Sequence, residues 1–192
     1  MRRTALFLML TLPALTGCIR PHIVPTTYYT IAPSVSVEKA EPTDRTLGIR
    51  PLSAPLLYKT PILYTEGLEV RAYPHAEWAM KPGDMVTRTI TDAIVATNRF
   101  KDAGHASDVN RPELLLVGDL RKFEVDLDAT PPEAVCEVRL ELRETFGTQL
   151  LWADVVSARV PLETDHVSAV PHAMSEAVTQ VANRAAAEIA KH

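Results

Sequence analysis

Between residues 44 and 192 the spacing of apolar positions switches between two and three-to-four, marking strands and helices in turn. Leu47 and Ile49 frame a short strand ended by Pro51, and residues 61–71 read as a hairpin whose tight turn needs the positive φ that Gly67 supplies. From 84 to 98 the period lengthens. Met85, Val86, Ile90, Ala93, Ile94 and Thr97 share one helical face, with Asp84 as the N-cap behind the breaker pair Pro82-Gly83. A polar loop through Gly104, Ser107 and Asn110 follows. The run from Glu113 to Leu120 is apolar at both parities, as expected of a central strand covered on both faces. Its phase then slips: Leu114, Leu116 and Leu120 are even-numbered, whereas Phe123, Val125 and Leu127 are odd, and a β-bulge near Arg121-Lys122 accounts for the change. Residues 134–146 alternate strictly, a turn at Gly147-Thr148-Gln149 follows, and a strand over 150–160 stops at Pro161. Val170, Met174, Ala177, Val178, Val181, Ala185 and Ile189 then recur at intervals of three and four behind Pro171, predicting a second long helix. The sum is an α/β (α+β) domain with a mixed, largely antiparallel sheet of five to six strands covered by two main helices.

The chain ahead of this domain has a different character. Arg2 and Arg3 precede an apolar stretch from Ala5 to Leu12, the layout of a secretory signal, and that stretch is well short of the ~20 residues that cross a bilayer as a helix. It leads into Leu15-Thr16-Gly17-Cys18, which looks like a bacterial lipobox, in which small residues precede a cysteine whose sulfur can be thioether-linked to diacylglycerol. Residues 1–17 therefore read as a lipoprotein signal peptide. Cys18 is the expected lipidation site, carrying diacylglycerol and an N-acyl chain such as palmitate, and no other cofactor is expected. Several acyl chains at about 0.8 kcal/mol per CH₂ make such an anchor close to permanent. Ile19 stands where an Asp would resemble an inner-membrane retention signal, so the expected location is the outer membrane, facing the periplasm. Residues 18–43 carry Pro21, Pro25, Pro33 and Pro42 and read as the lipidated N-terminus and an extended tether, within which Tyr28-Tyr29 and Ile31 could dock as a first edge strand. The domain proper is expected over 44–192.

Composition narrows the function classes. With 46% hydrophobic residues the chain is not intrinsically disordered, and with two Cys it is not a disulfide scaffold. Net charge is −4, becoming −6 once Arg2 and Arg3 leave with the signal, and no long basic run offers a footprint for nucleic acid. There is no Gly-x-Ser-x-Gly elbow, Gly-rich phosphate loop or His-Glu-x-x-His helix, so no catalytic residue is nominated and no enzymatic activity is expected. The histidines at 22, 75, 105, 166, 172 and 192 are scattered without ligand spacing, and no metal site is expected. Asp126 and Asp128 pair at the end of a strand beside Thr130-Pro131-Pro132, which reads as a solvated strand end. If Cys18 carries lipid, Cys136 has no partner in the chain, and the alternation from Cys136 to Arg143 puts its thiol on the core side. What stands out is the apolar and aromatic material in and beside loops: Leu56, Leu57 and Tyr58 after Pro55, then Tyr73, Trp78 and Met80. Core packing is the ordinary explanation for each, and a partner-binding surface is the functional one.

The order of these features resembles the ABC-type transport auxiliary lipoprotein family, which includes the PqiC-type lipoproteins. After the lipobox, Tyr28-Tyr29-Thr30-Ile31-Ala32-Pro33 is similar to the family's Tyr-Tyr-apolar-Pro opening. Leu47-Gly48-Ile49-Arg50-Pro51-Leu52, with Pro55 and Tyr58 ahead of Pro61-Ile62-Leu63, resembles its first strand, proline-bounded loop and second strand. Glu77-Trp78-Ala79 resembles the Trp-Ala element before its helix, and Leu120-Arg121-Lys122-Phe123-Glu124-Val125-Asp126 its Arg-x-Phe-Glu strand. Lys59-Thr60 departs from a frequent Asp-Arg pair, and Thr148-Gln149 from a commoner Gly-containing turn. The resemblance implies a non-enzymatic, periplasm-facing component of an intermembrane lipid-transport system. Its implied partners are a protein with mammalian-cell-entry (MCE) domains and an ABC permease/ATPase complex, with a homo-oligomeric ring as one form of assembly. The alternative is a lipoprotein that assists envelope assembly or activates a peptidoglycan synthase.

Overall fold

The computed structural model describes residues 24–147 and 149–192; the signal peptide, Cys18, His22 and Thr148 lie outside the described residues. The fold is α+β, with one mixed sheet of eight strands and two long helices. The strands are β1 (Thr27–Tyr29), β2 (Thr43–Ile49), β3 (Pro61–Glu66), β4 (Glu69–Trp78), β5 (Phe100–His105), β6 (Leu114–Asp126), β7 (Glu133–Glu144) and β8 (Leu150–Pro161). Helix α1 spans Pro82–Ala96 and α2 Val170–Ile189.

Strand β6 is the spine. One edge pairs with β7 along its whole length, antiparallel, and β8 continues the meander. The other edge is shared by two parallel partners: β2 meets Leu114 to Leu116, and β3 meets Val125 and Asp126. Strand β4 pairs with β3, β1 with β4, and β5 with β2. The sheet therefore exceeds the expected five to six strands, chiefly because β5 falls where a polar loop was expected. Phe100-Lys101-Asp102-Ala103-Gly104-His105 lacks apolar alternation, yet a parallel edge strand needs only main-chain pairing on one side.

The phase slip in β6 is a bulge. Leu120 pairs with Val138 and Lys122 with Glu137, which leaves Arg121 unpaired and returns Phe123 and Val125 to the core. The hairpin turn has Gly67 at φ 60°, as its tightness requires. Helix α1 starts one turn earlier than expected. Lys81 is its N-cap and Pro82 its first residue, so Asp84 sits in the first turn and caps nothing. A proline there brings no N–H that needs a cap.

Both helices lie on one face, α2 over β7 and β8, with α1 packed against α2 and β5. Trp78 meets Phe123 edge-on at 5.3 Å between ring centres, within a core that runs from Leu47 to Ile189. Cys136 is fully buried there, and burial pushes its thiol up to about 12. The opposite face is crossed by charge pairs: Glu141 with Arg139 and Arg143, and Arg159 with Asp126 at 2.8 Å and Glu133 at 3.3 Å.

Residues 30–42 are extended, as their prolines require, but they are not a free tether. The backbone N–H groups of Ala32, Ser34 and Ser36 donate to Ser175 Oγ, Thr179 Oγ1 and Asn183 Oδ1, at 3.0, 3.1 and 3.2 Å. Those acceptors are four residues apart on α2, so one helical face holds alternate residues of a strand-like segment. The intervening Ile31, Val35 and Val37 pack against the core. This segment straps the outside of the helical layer and then enters β2.

Candidate functional site

Because β2 and β3 share one edge of β6, the middle of that edge would be left open, with unpaired main-chain groups. The loop 50–60 fills the gap. Ser53 takes a strand position, donating its N–H to Gly118 O at 3.1 Å and accepting from Leu120 N–H at 2.8 Å. Leu52 N–H donates to Thr87 Oγ1 on α1 at 3.0 Å, and Thr87 in turn donates to Gly83 O at 2.7 Å. At the far end of the loop Tyr58 Oη donates to Glu124 Oε2 at 2.6 Å, with Arg121 O at 3.3 Å.

Glu124 is nearly fully buried, on the strand side opposite Phe123 and Val125. Burial first, and the adjoining carboxylate second, push the Tyr58 hydroxyl well above the ordinary tyrosine range, so it stays protonated and donates. The proline-bounded loop and the Arg-x-Phe-Glu strand, far apart in sequence, thus close on each other through one short hydrogen bond.

This anchoring presents a corner. Tyr58 N–H returns to Pro55 O at 3.0 Å, so Leu56 and Leu57 occupy the middle of a tight turn, 85% and 51% exposed. Turn corners ordinarily carry Gly, Asn, Asp or Ser, and two leucines here leave apolar surface in water. Beside the loop a cleft of about 590 Å³ opens toward α1, bordered by Leu56, Lys59, Lys81 and Gly83. Met80, 42% exposed, precedes Lys81 and lines a smaller pocket together with Thr30 and Ile31 at the start of the strap.

The six residues expected to bind a partner therefore divide. Leu56, Leu57 and Met80 are exposed and belong to one end of the domain. Tyr58 and Trp78 are corrections: both are buried, the first beneath the loop it holds and the second against Phe123. Tyr73 is half-buried and packs tilted against Tyr64, 4.8 Å between ring centres, and burial pushes its hydroxyl pKa above the ordinary tyrosine range. Sequence reasoning missed Glu124, which looks like any solvent-facing residue of an alternating strand, and missed the strap. The strap had a signal, the alternation Ile31, Pro33, Val35, Val37.

The paired carboxylates have structural duties. Asp126 accepts from Arg159, whose hydrogen bond holds it below the ordinary carboxylate range, and Asp128 accepts from Gly67 N–H at 2.8 Å, fixing the hairpin turn. Among the described residues no group of three His, Cys, Asp or Glu could hold a metal ion. Nor is any described helix long and apolar enough to cross a membrane.

The family profile described as the ABC-type transport auxiliary lipoprotein component matches residues 29–186, from the end of β1 to the last turns of α2. The chain belongs to the ABC-type transport auxiliary lipoprotein family. The matched span takes in the strap, the loop 50–60 and the β6 bulge. Among solved structures, protein XCC0632 from Xanthomonas campestris, of the DUF330 family, is similar over 86% of this chain and 95% of its own, at 22% identity and a TM-score of 0.77. An uncharacterized protein matches over 86% and 99% at 13% identity and 0.68, and hypothetical protein CT253 from Chlamydia trachomatis over 78% and 95% at 9% and 0.50. At these identities the structures share the auxiliary lipoprotein's fold alone. No curated protein matches the chain.

Proposed function

We propose that this protein is a non-enzymatic component of an ABC/MCE-type intermembrane lipid-transport system, lipid-anchored in the outer membrane through Cys18 and docking the MCE-domain protein there. Family membership supports the transport role, since an auxiliary lipoprotein works beside a permease and ATPase that supply the energy. The observation that carries the tethering role is the route of the N-terminal chain. Only residues 19–26 separate Cys18 from β1, and the chain after β1 is held to α2 at Ala32, Ser34 and Ser36 and so adds no slack. Eight residues reach at most about 30 Å, at roughly 3.3–3.6 Å each. An anchor on so short a lead holds the domain close against the membrane.

The test is Cys18→Ala in the full chain. The variant is expected to fold normally, to leave the membrane fraction for the soluble periplasm, and to fail to complement a deletion strain. Full complementation by a soluble, correctly exported variant would overturn anchoring as the mechanism.

A further inference from the structure

The β3–β4 turn carries an apolar side chain for which the core has no place. Gly67 and Leu68 form its corner between the paired Glu66 and Glu69, and Leu68 is fully exposed where a polar residue ordinarily sits. We propose that Leu68 seats in the interfacial region of the bilayer that holds the lipid anchor, giving the domain a second point of attachment; this rests on the anchoring reading above. Three observations converge on the bilayer as the occupant.

The first is direction. Strand β1 runs parallel to β4 with Tyr28 level with Glu77, and Glu77 in turn is opposite Pro61 at the start of β3. Followed back from Tyr28, the chain therefore heads the way β3 runs, toward the β3–β4 turn. The way to Cys18 leaves the sheet on the side of Leu68, whereas Met80, past the far end of β4, is on the opposite side.

The second is length. From Pro61 to Glu66 strand β3 rises about 17 Å, at roughly 3.4 Å per residue. Tyr28 and Cys18 are ten residues apart, which span at most about 33–36 Å. Even at full stretch the lead passes the tip by only about 16–19 Å, and the headgroup layer takes up about 5–7 Å of that. Any slack brings Leu68 to the acyl boundary.

The third is the build of the tip. Both carboxylate oxygens of Asp128 accept from Gly67 N–H, at 2.8 and 3.1 Å, and Leu127 N–H donates to Thr65 O at 3.0 Å, so the chain after β6 braces the hairpin. Seating Leu68 orders little that is not already ordered. Arg71 pairs with Glu66 and Glu69, and with Asp128 counted the tip stays net negative. That charge complements the ammonium group of a phosphatidylethanolamine headgroup and opposes an anionic one, so the surface that fits is zwitterionic.

The test uses the full-length lipidated protein with a single environment-sensitive dye, introduced through Leu68→Cys or, at the opposite end of β4, Met80→Cys. Buried Cys136 does not label, and the sulfur of Cys18 is occupied in the lipidated form. The protein is reconstituted into vesicles of phosphatidylethanolamine and phosphatidylcholine doped with a nitroxide lipid, and floated to isolate the membrane-bound fraction. Within the floated fraction the dye at 68 is expected to shift to the blue and be quenched, while the dye at 80 stays in water. Equal, aqueous emission at both positions overturns the proposal and leaves the anchor standing. So does a shift at 68 that appears only when an MCE-domain protein or excess unlabelled chain is added, which would make the tip a protein contact. Replacing phosphatidylcholine by phosphatidylglycerol should weaken the quenching at 68, and quenching that requires the anionic lipid also overturns the proposal. Failure to float is a separate result, which overturns the anchoring reading and this proposal with it. Because a dye can itself favour lipid, a second pair of samples carries it at Val70→Cys, beside native Leu68 or beside Leu68→Asp. The aspartate should lower the ratio of quenched to unquenched dye about tenfold, the order expected for losing one buried leucine. Equal quenching in the two samples contradicts the role given to Leu68.

Discussion

Gly118→Ala is expected to destabilise the domain by about 3 kcal/mol or more, the upper range for overpacking a filled interior. Gly118 lies in the middle of β6, where the loop 50–60 crosses the shared edge. A Cβ built there would run into the Arg139 carbonyl oxygen of β7, and would come within 2.9 Å of Leu140 Cδ2 and 3.0 Å of Leu52 Cδ2. The leucines could turn aside, but the carbonyl belongs to the central ladder and cannot. Relief requires β6 and β7 to separate where their pairing is continuous, and the Ser53 hydrogen bonds on Gly118 and Leu120 loosen with them. Thermal unfolding should show a fall of about 6–12 °C, at roughly 2–4 °C per kcal/mol for a domain of this size. A melting temperature within a degree of the parent would contradict the packing described for this edge.

Trp78→Ala should cost about 3–5 kcal/mol, as large-to-small changes of buried aromatics do. Trp78 is 1% exposed and loses its edge-to-face partner Phe123 together with the core contacts around it. The prediction separates two roles for the same residue. If Trp78 were a partner contact, truncation would weaken binding at unchanged stability; as a core residue it should lower the denaturation midpoint while any properly folded fraction binds normally. Chemical denaturation alongside a binding assay on the same sample decides between them.

The elements legible in the sequence were those where one physical demand left a periodic trace. The slip from even to odd apolar positions across Arg121 can arise only if one residue is unpaired, and the structure has that bulge. The helix α2 stripe and the Gly67 turn left equally direct traces. What escaped was held by main chain or by side chains with an innocent look. Strand β5 pairs with β2 without apolar alternation, only Phe100 and Ala103 reaching the core, and β4 runs on past Pro74 to Trp78 by jumping register, with His75 at φ 54°. Ser175, Thr179 and Asn183 read as a solvated helix face until the strap is seen lying on them. The candidate site was half legible for a related reason. An apolar residue in a loop segment carries no mark of whether it faces inward, so Leu56 and Tyr58, two positions apart, looked alike. Only the carboxylate of Glu124, reaching Tyr58 across 66 residues of chain, separates the anchor from the corner it presents.

The central claim, that this lipoprotein docks an MCE-domain protein at the outer membrane, is tested most directly by a mild-detergent pull-down of the full-length protein from its native envelope. Bound proteins are identified by mass spectrometry, with the Cys18→Ala form run in parallel. The account predicts recovery of an MCE-domain protein with its permease by the lipidated form, and loss of most of that recovery when the anchor is removed. Recovery of a peptidoglycan synthase or envelope-assembly factors, without any MCE-domain protein, would leave the fold and family standing and contradict the transport assignment.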